Sequence, residues 1–111
     1  MMIKVCVYRD RKNNVIRYTV EGHANAAEYG KDIVCASISI LAQTAVLALY
    51  ELLDIDVNYE MKEGWLSCQL PEFLPEQIRE KANLILETMI IGIRGTQEMY
   101  KEFIEFHDRE V

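Results

Sequence analysis

The feature that most constrains the fold is a run of 18 residues without a formal charge, from Ile33 to Tyr50. Lys31 and Asp32 precede this run and Glu51 follows it. At about 100° per residue, its apolar side chains leave no wide polar stripe on a helix. The length reaches the lower limit for a membrane-spanning helix, but the run includes serine, glutamine and threonine residues. We therefore interpret it as a helix buried in a water-soluble fold, with no membrane partner.

Alternation of apolar and polar residues predicts a β-hairpin on each side of this helix. The first hairpin spans Ile3 to Glu21, and the second spans Ile55 to Leu70 around a turn that contains Gly64. Prolines end the second hairpin at Pro71 and open a last helix. Apolar residues at helical spacing predict that this helix continues as far as Ile104.

These elements give the order ββαββα in a single α+β domain over residues 1–111. The expected architecture is an antiparallel sheet packed with two helices. One sheet and one other helix are a small cover for a helix that is apolar nearly all round. A homodimer that buries the remaining apolar surface is therefore expected.

Composition and charge limit the binding partners and the cellular location that we expect. Twelve Lys and Arg against 18 Asp and Glu give a net charge of −6, which argues against direct nucleic-acid binding and favours a basic protein partner. Charges within the first ten residues argue against a secretory signal, so a cytoplasmic location is expected. Three cysteines without Cys-x-x-Cys spacing favour free thiols over disulfides or a zinc site. No metal or cofactor is expected.

Candidate catalytic residues lie between the first hairpin and the first helix. Cys35 falls in the predicted first turn, where unpaired N–H groups and the helix dipole favour a thiolate. Its own N–H is a candidate donor to the oxyanion of a tetrahedral intermediate. His23 follows the hairpin and carries an imidazole suited to accept the thiol proton. Asp32 is interpreted either as the helix N-cap or as a group that orients His23.

Taken singly, these residues have simpler explanations. A cysteine in an apolar helix is most often a small packing residue, and an Asp at a helix start is most often a cap. Cys6 and Cys68 lie in predicted strands and are interpreted as packing residues. His107 lies in an acidic stretch and is interpreted as a solvated residue.

The surrounding motif makes the functional interpretation stronger. Gly22-His23-Ala24, followed by Tyr29-Gly30-Lys31-Asp32-Ile33-Val34-Cys35-Ala36, resembles the ribosomal-processing cysteine protease family of bacteria, called Prp. The resemblance implies a homodimeric cytoplasmic protease that removes a short N-terminal extension from a large-subunit ribosomal protein. It implies that Cys35 and His23 are catalytic, that Asp32 matches the family Asp before the nucleophile, and that Gly30 is the hinge of a loop over the site.

On this interpretation the Cys35 thiolate attacks the scissile carbonyl, His23 handles the proton, and water releases a thioester. The alternative is a non-enzymatic dimeric module whose acidic surface binds a basic ribosomal or ribosome-assembly partner. A redox-sensing role for Cys35 would require a resolving cysteine nearby, and the loop and helix contain no second cysteine.

Overall fold

The computed structural model describes residues 2–22 and 31–111, with side chains from Ile33 onward in the second range. In chain order the elements are β1 (Ile3–Arg9), β2 (Val15–Glu21), α1 (Lys31–Leu53), β3 (Asn58–Lys62), β4 (Trp65–Gln69), α2 (Glu76–Met99) and β5 (Ile104–Glu110). The predicted α+β fold is confirmed, and its ββαββα order is extended by the strand β5.

The strands form one sheet of five in the order β3-β4-β2-β1-β5. The β1–β2, β2–β4 and β3–β4 pairs are antiparallel, as predicted. β5 pairs in parallel with β1, from Ile3 opposite Ile104 to Arg9 opposite Glu110. This parallel pair makes the sheet mixed. A parallel pair needs a crossover connection between its strands, and α2 supplies the last part of that connection before β5.

The prediction that the last helix continues to Ile104 is wrong. α2 ends at Met99, and the N–H of Tyr100 donates to the carbonyls of Thr96 and Gln97. Ile104 instead begins β5 and is 1% exposed. Its burial satisfies a helical spacing and a strand alternation equally well, so only the long-range pairing with β1 selects the strand.

The two helices cover one face of the sheet. Ile3, Val5 and Val7 of β1 are buried on that face, together with Tyr18 and Val20 of β2. The hydroxyl of Tyr18 donates to the carbonyl oxygen of Ala42 in α1 at 2.8 Å. This bond ties the centre of the sheet to the middle of the helix.

Within the part of the chain that the structure describes, only one side of α1 is covered. Val34, Ile38, Ala42, Ala45 and Leu49 are buried, whereas Ile33, Ile40 and Leu47 are 57–63% exposed. Residues 33–53 are long and apolar enough to cross a membrane by length and composition, and a third of that apolar window is buried in the fold. The helix therefore contributes to the core and also carries an apolar stripe that the described chain leaves uncovered.

Candidate active site

Cys35 lies at the edge of a cleft of about 540 Å³ at one end of the sheet. We call this space the Cys35 cleft. Its lining is formed by residues of α1, the ends of β1 and β2, and the β3–β4 hairpin: Ile3, Val20, Gly22, Cys35, Ala36, Ser39, Gln43 and residues 61–66. The volume lies within the range of small-ligand sites, about 300–1,000 Å³. Cys35 packs against the core but is only half-buried and lines the cleft, so the simpler explanation of a fully buried packing residue does not account for its position.

The start of α1 differs slightly from the prediction. The helix begins at Lys31, so Asp32 is its second residue and Cys35 its fifth. Only the first four N–H groups of an α-helix lack an intrahelical acceptor. The N–H of Cys35 therefore belongs to the helical ladder rather than facing an oxyanion. The free donors and the positive end of the helix dipole lie one turn earlier.

Two predicted site residues, His23 and Gly30, lie outside the described residues, and so does the side chain of Asp32. Their roles remain predictions. The structure does describe Gly22, the residue before His23, and places it in the lining of the Cys35 cleft. The backbone that leads into His23 and the side chain of Cys35 thus meet at the same cleft.

Gly22 is held in place by the turn between β3 and β4. Its N–H donates to the carbonyl oxygen of Gly64 at 3.0 Å. Gly64 has a φ of 74°, and a Cβ at this position would overlap the carbonyl oxygen of Gly22. Gly64 therefore combines a left-handed backbone, which favours glycine, with a contact to another backbone that leaves no room for a Cβ.

Sequence reasoning identified Gly64 only as a turn residue. Its contact with Gly22 depends on the pairing of β4 with β2, which places Glu21 opposite Trp65. Sequence reasoning also missed Ser39 and Gln43, which line the cleft on the same helix as Cys35. A spacing of four residues from Cys35 to Ser39 and again to Gln43 is the signal that would have found them.

The three cysteines differ in access to solvent. None is in a disulfide, Cys6 and Cys68 are buried, and Cys35 is half-buried. Burial raises the pKa of Cys68 to about 11, which keeps that thiol protonated at neutral pH. The interpretation of Cys6 and Cys68 as packing residues agrees with their burial, and Cys35 is the thiol that a ligand can reach.

The second histidine of the chain belongs to a different surface. His107 lies in β5, half-buried, with Nε2 2.7 Å from a carboxylate oxygen of Glu105. This hydrogen bond holds the pKa of Glu105 below its usual value. His107 is therefore a half-buried strand residue rather than the solvated residue that was predicted, and it does not line the Cys35 cleft. Among residues 2–22 and 33–111, no group of three or more His, Cys, Asp or Glu side chains could hold a metal ion.

Comparison with known proteins defines the class. The sequence profile described as "Cysteine protease Prp" matches residues 2–105. The ribosomal processing cysteine protease Prp of Bacillus subtilis is 31% identical over 103 residues, which cover 91% of this chain and 92% of the relative. The protein of the same name from Staphylococcus aureus is 31% identical over 108 residues, which cover 96% of this chain and 98% of the relative.

Solved structures agree in fold over nearly the full length. The crystal structure of SMU.848 from Streptococcus mutans has a TM-score of 0.87 and 30% identity, and covers 99% of this chain and 96% of its own. The protease Prp of S. aureus in complex with a substrate peptide has a TM-score of 0.86 and 26% identity. The match covers 97% of this chain and 100% of that structure's chain. Another structure of that protease holds a covalently linked product peptide, with a TM-score of 0.79 and 30% identity over 97% and 100%.

Fold, cleft and relatives together define a cysteine protease. More narrowly, the chain belongs to the cysteine protease Prp family.

Proposed function

We propose that this protease removes a short N-terminal extension from a large-subunit ribosomal protein, with Cys35 as nucleophile and His23 as its base. One observation carries the assignment of the site: Cys35 and Gly22, the residue before His23, line the same cleft. Two relatives that span nearly the whole chain are named ribosomal processing proteases, and the proposed substrate follows from that name and from the family resemblance.

In the proposed reaction His23 takes the proton from the Cys35 thiol, and the thiolate attacks the scissile carbonyl carbon. The tetrahedral intermediate collapses when the C–N bond breaks and the imidazolium gives its proton to the leaving amine. Water, deprotonated by His23, then hydrolyses the thioester and releases the extension. The family resemblance implies that Gly30 is the hinge of a loop over the site, and we propose that this loop closes over the bound peptide.

The charge of the chain supports a basic substrate. A net charge of −6 attracts a cationic ribosomal protein and raises the rate of encounter. Because such steering is screened by salt, kcat/KM for the intact protein substrate should fall as ionic strength rises. A cytoplasmic location is part of the same proposal, since the proposed substrate is a ribosomal protein.

The exposed stripe of α1 supports a homodimer. Ile33, Ile40 and Leu47 repeat every seven residues, and Leu84 and Ile91 of α2 are 70–71% exposed. Exposed apolar side chains that recur on one helix face in this way are typical of an interface. Sedimentation equilibrium at micromolar concentration should give twice the chain mass, and Ile40→Glu should shift the protein to the monomer. A monomeric wild type would contradict this part of the proposal.

Mass spectrometry of an extended ribosomal protein after incubation with the protease tests the activity. Wild type should cleave at one site, and Cys35→Ala and His23→Ala should abolish cleavage with unchanged circular dichroism. Cys6→Ala is the matched control, because it makes the same chemical change at a buried thiol outside the cleft. Cleavage by Cys35→Ala would contradict the mechanism.

Thiol labelling gives an independent test. Timed reaction with iodoacetamide and peptide mapping should label Cys35 before Cys6 and Cys68, because those two thiols are buried. The raised pKa of Cys68 should make it unreactive at neutral pH. Labelling of Cys68 as fast as Cys35 in the folded protein would argue against an activated nucleophile.

The two interpretations of Asp32 are separated by Asp32→Asn and Asp32→Ser. If Asp32 orients His23, both variants should keep their melting temperature and lose at least tenfold in kcat/KM, about 1.4 kcal/mol of barrier. If Asp32, as the second residue of α1, only stabilises the helix start, both variants should stay active, and Asp32→Ala should lose about 0.3–1 kcal/mol of stability through the helix dipole. We propose the first outcome.

A further inference from the structure

The α1 wall of the Cys35 cleft carries a polar group well away from the nucleophile. Cys35, Ser39 and Gln43 recur at intervals of four residues and all line the cleft. Residues at this spacing lie one above another on the same helix face. Gln43 is the last of the three and presents a long uncharged amide at the far end of that wall.

The Gln43 amide has no hydrogen-bond partner among the described parts of the protein. The lining of the same cleft also includes the apolar side chains of Val20, Met61 and Leu66. When a bound ligand covers this amide, the amide loses its hydrogen bonds to water and needs a new hydrogen-bond partner on the ligand. The group offers both a donor and an acceptor, the combination that matches a peptide group.

The distance from the nucleophile sets which part of a substrate the amide can reach. Gln43 lies eight positions after Cys35, and at 1.5 Å per residue this corresponds to about 12 Å along the helix. An extended peptide advances about 3.3 Å per residue. A substrate that lies along α1 with its scissile carbonyl at Cys35 therefore passes Gln43 three or four residues from the cleaved bond.

We propose that Gln43 is a positioning residue that hydrogen-bonds a peptide group of the substrate three or four residues from the scissile bond. The inference rests on the proposed function, since it takes Cys35 as the nucleophile. Gln43 does not touch the reacting atoms, so its contribution is to hold the peptide in register. Its loss should raise KM and leave kcat nearly unchanged, because the contact is the same in the bound substrate and in the transition state.

The experiment measures kcat and KM of wild type, Gln43→Leu and Gln43→Asn on peptides that span the processing site and are shortened one residue at a time from either end. Gln77→Leu is the matched control, because Gln77 is exposed on α2 away from the cleft. Gln43→Leu should raise KM about tenfold on the full peptide, and Gln43→Asn should recover part of this loss. The difference from wild type should vanish once the peptide on one side ends before the third residue.

The outcomes separate the inference from the proposed function. An equal loss on every peptide length, or no loss on the longest, would overturn the role of Gln43 while the protease activity stands. A wild type that cleaves no peptide would overturn both. The melting temperature and the iodoacetamide labelling rate of Cys35 should be the same in Gln43→Leu and wild type, and a change in both would assign Gln43 a structural role instead.

Discussion

Replacement of Gly64 by Ala tests whether the β3–β4 turn positions the backbone that leads into His23. The substitution forces an L side chain into a φ of 74°, which costs about 1–2 kcal/mol. The new Cβ also overlaps the carbonyl oxygen of Gly22. Relief of that overlap separates the two residues and breaks the hydrogen bond from the Gly22 N–H, which costs about 1 kcal/mol more.

These terms sum to about 2–3 kcal/mol of stability. For a domain of this size 1 kcal/mol corresponds to about 4 °C or more in Tm, so a fall of roughly 8–15 °C is expected by differential scanning calorimetry. Because the displaced backbone adjoins His23, kcat/KM should also fall at least tenfold at a temperature where the variant is fully folded. The assay uses the peptide substrate of the proposed function at saturating and subsaturating concentrations.

Two further variants sharpen this test. Gly95→Ala makes the same change in α2, where a Cβ meets no atom within 4 Å, and should raise stability by up to about 1 kcal/mol. Gly64→Asn tolerates the positive φ better than Ala but keeps the Cβ. It should recover some stability without recovering activity. A Gly64→Ala protein with wild-type Tm and kcat/KM would refute the role given to this turn.

Three other perturbations test the framework around the site. Tyr18→Phe removes the hydroxyl that donates to Ala42 and should cost about 1 kcal/mol in urea unfolding, whereas an unchanged midpoint would contradict the link between sheet and α1. Arg9 bonds Glu87 of α2 and Asp108 of β5 at 2.8 Å, so Arg9→Met should cost about 1–2 kcal/mol after allowance for solvent and should reduce hydrogen-exchange protection in β5. The hydrogen bond from Asn14 lowers the pKa of Asp10, so this carboxylate stabilises the fold fully above its unfolded pKa and loses that contribution as pH falls through the folded value. Asp10→Asn should therefore flatten the acid limb of a stability–pH curve, and an unaltered limb would contradict this.

Local patterns predicted most of the elements, because alternation in the hairpins and the uncharged run in α1 are signals within short segments. The strand β5 was missed because Phe103, Ile104 and Phe106 are compatible with the end of a helix, and the partner that selects a strand is β1. Pairing between distant segments leaves no mark in a window of ten residues.

The candidate site was likewise predictable where it depends on a local motif and not where it depends on contacts between distant segments. Cys35 was identified from its motif and its place near a helix start, and the structure adds the cleft that it lines. The contact of Gly64 with Gly22, 42 positions apart in the chain, was not predictable, because it arises from the pairing of β4 with β2. The position of the Gln43 amide in the cleft likewise depends on which side of α1 faces the sheet.

The parallel pairing of β1 with β5 has a consequence for folding during translation. Ile3 pairs with Ile104, so the partner of β1 on that side is synthesised long after β1 itself. At about 5–20 residues per second, the outer edge of β1 stays open for roughly 5–20 s of each round of translation. An open edge is a template for pairing with another chain. Several copies of the chain on one polysome therefore expose the same open edge of β1 at the same time. Pairing between those edges would join different chains, whereas pairing with β5 of the same chain completes the native sheet.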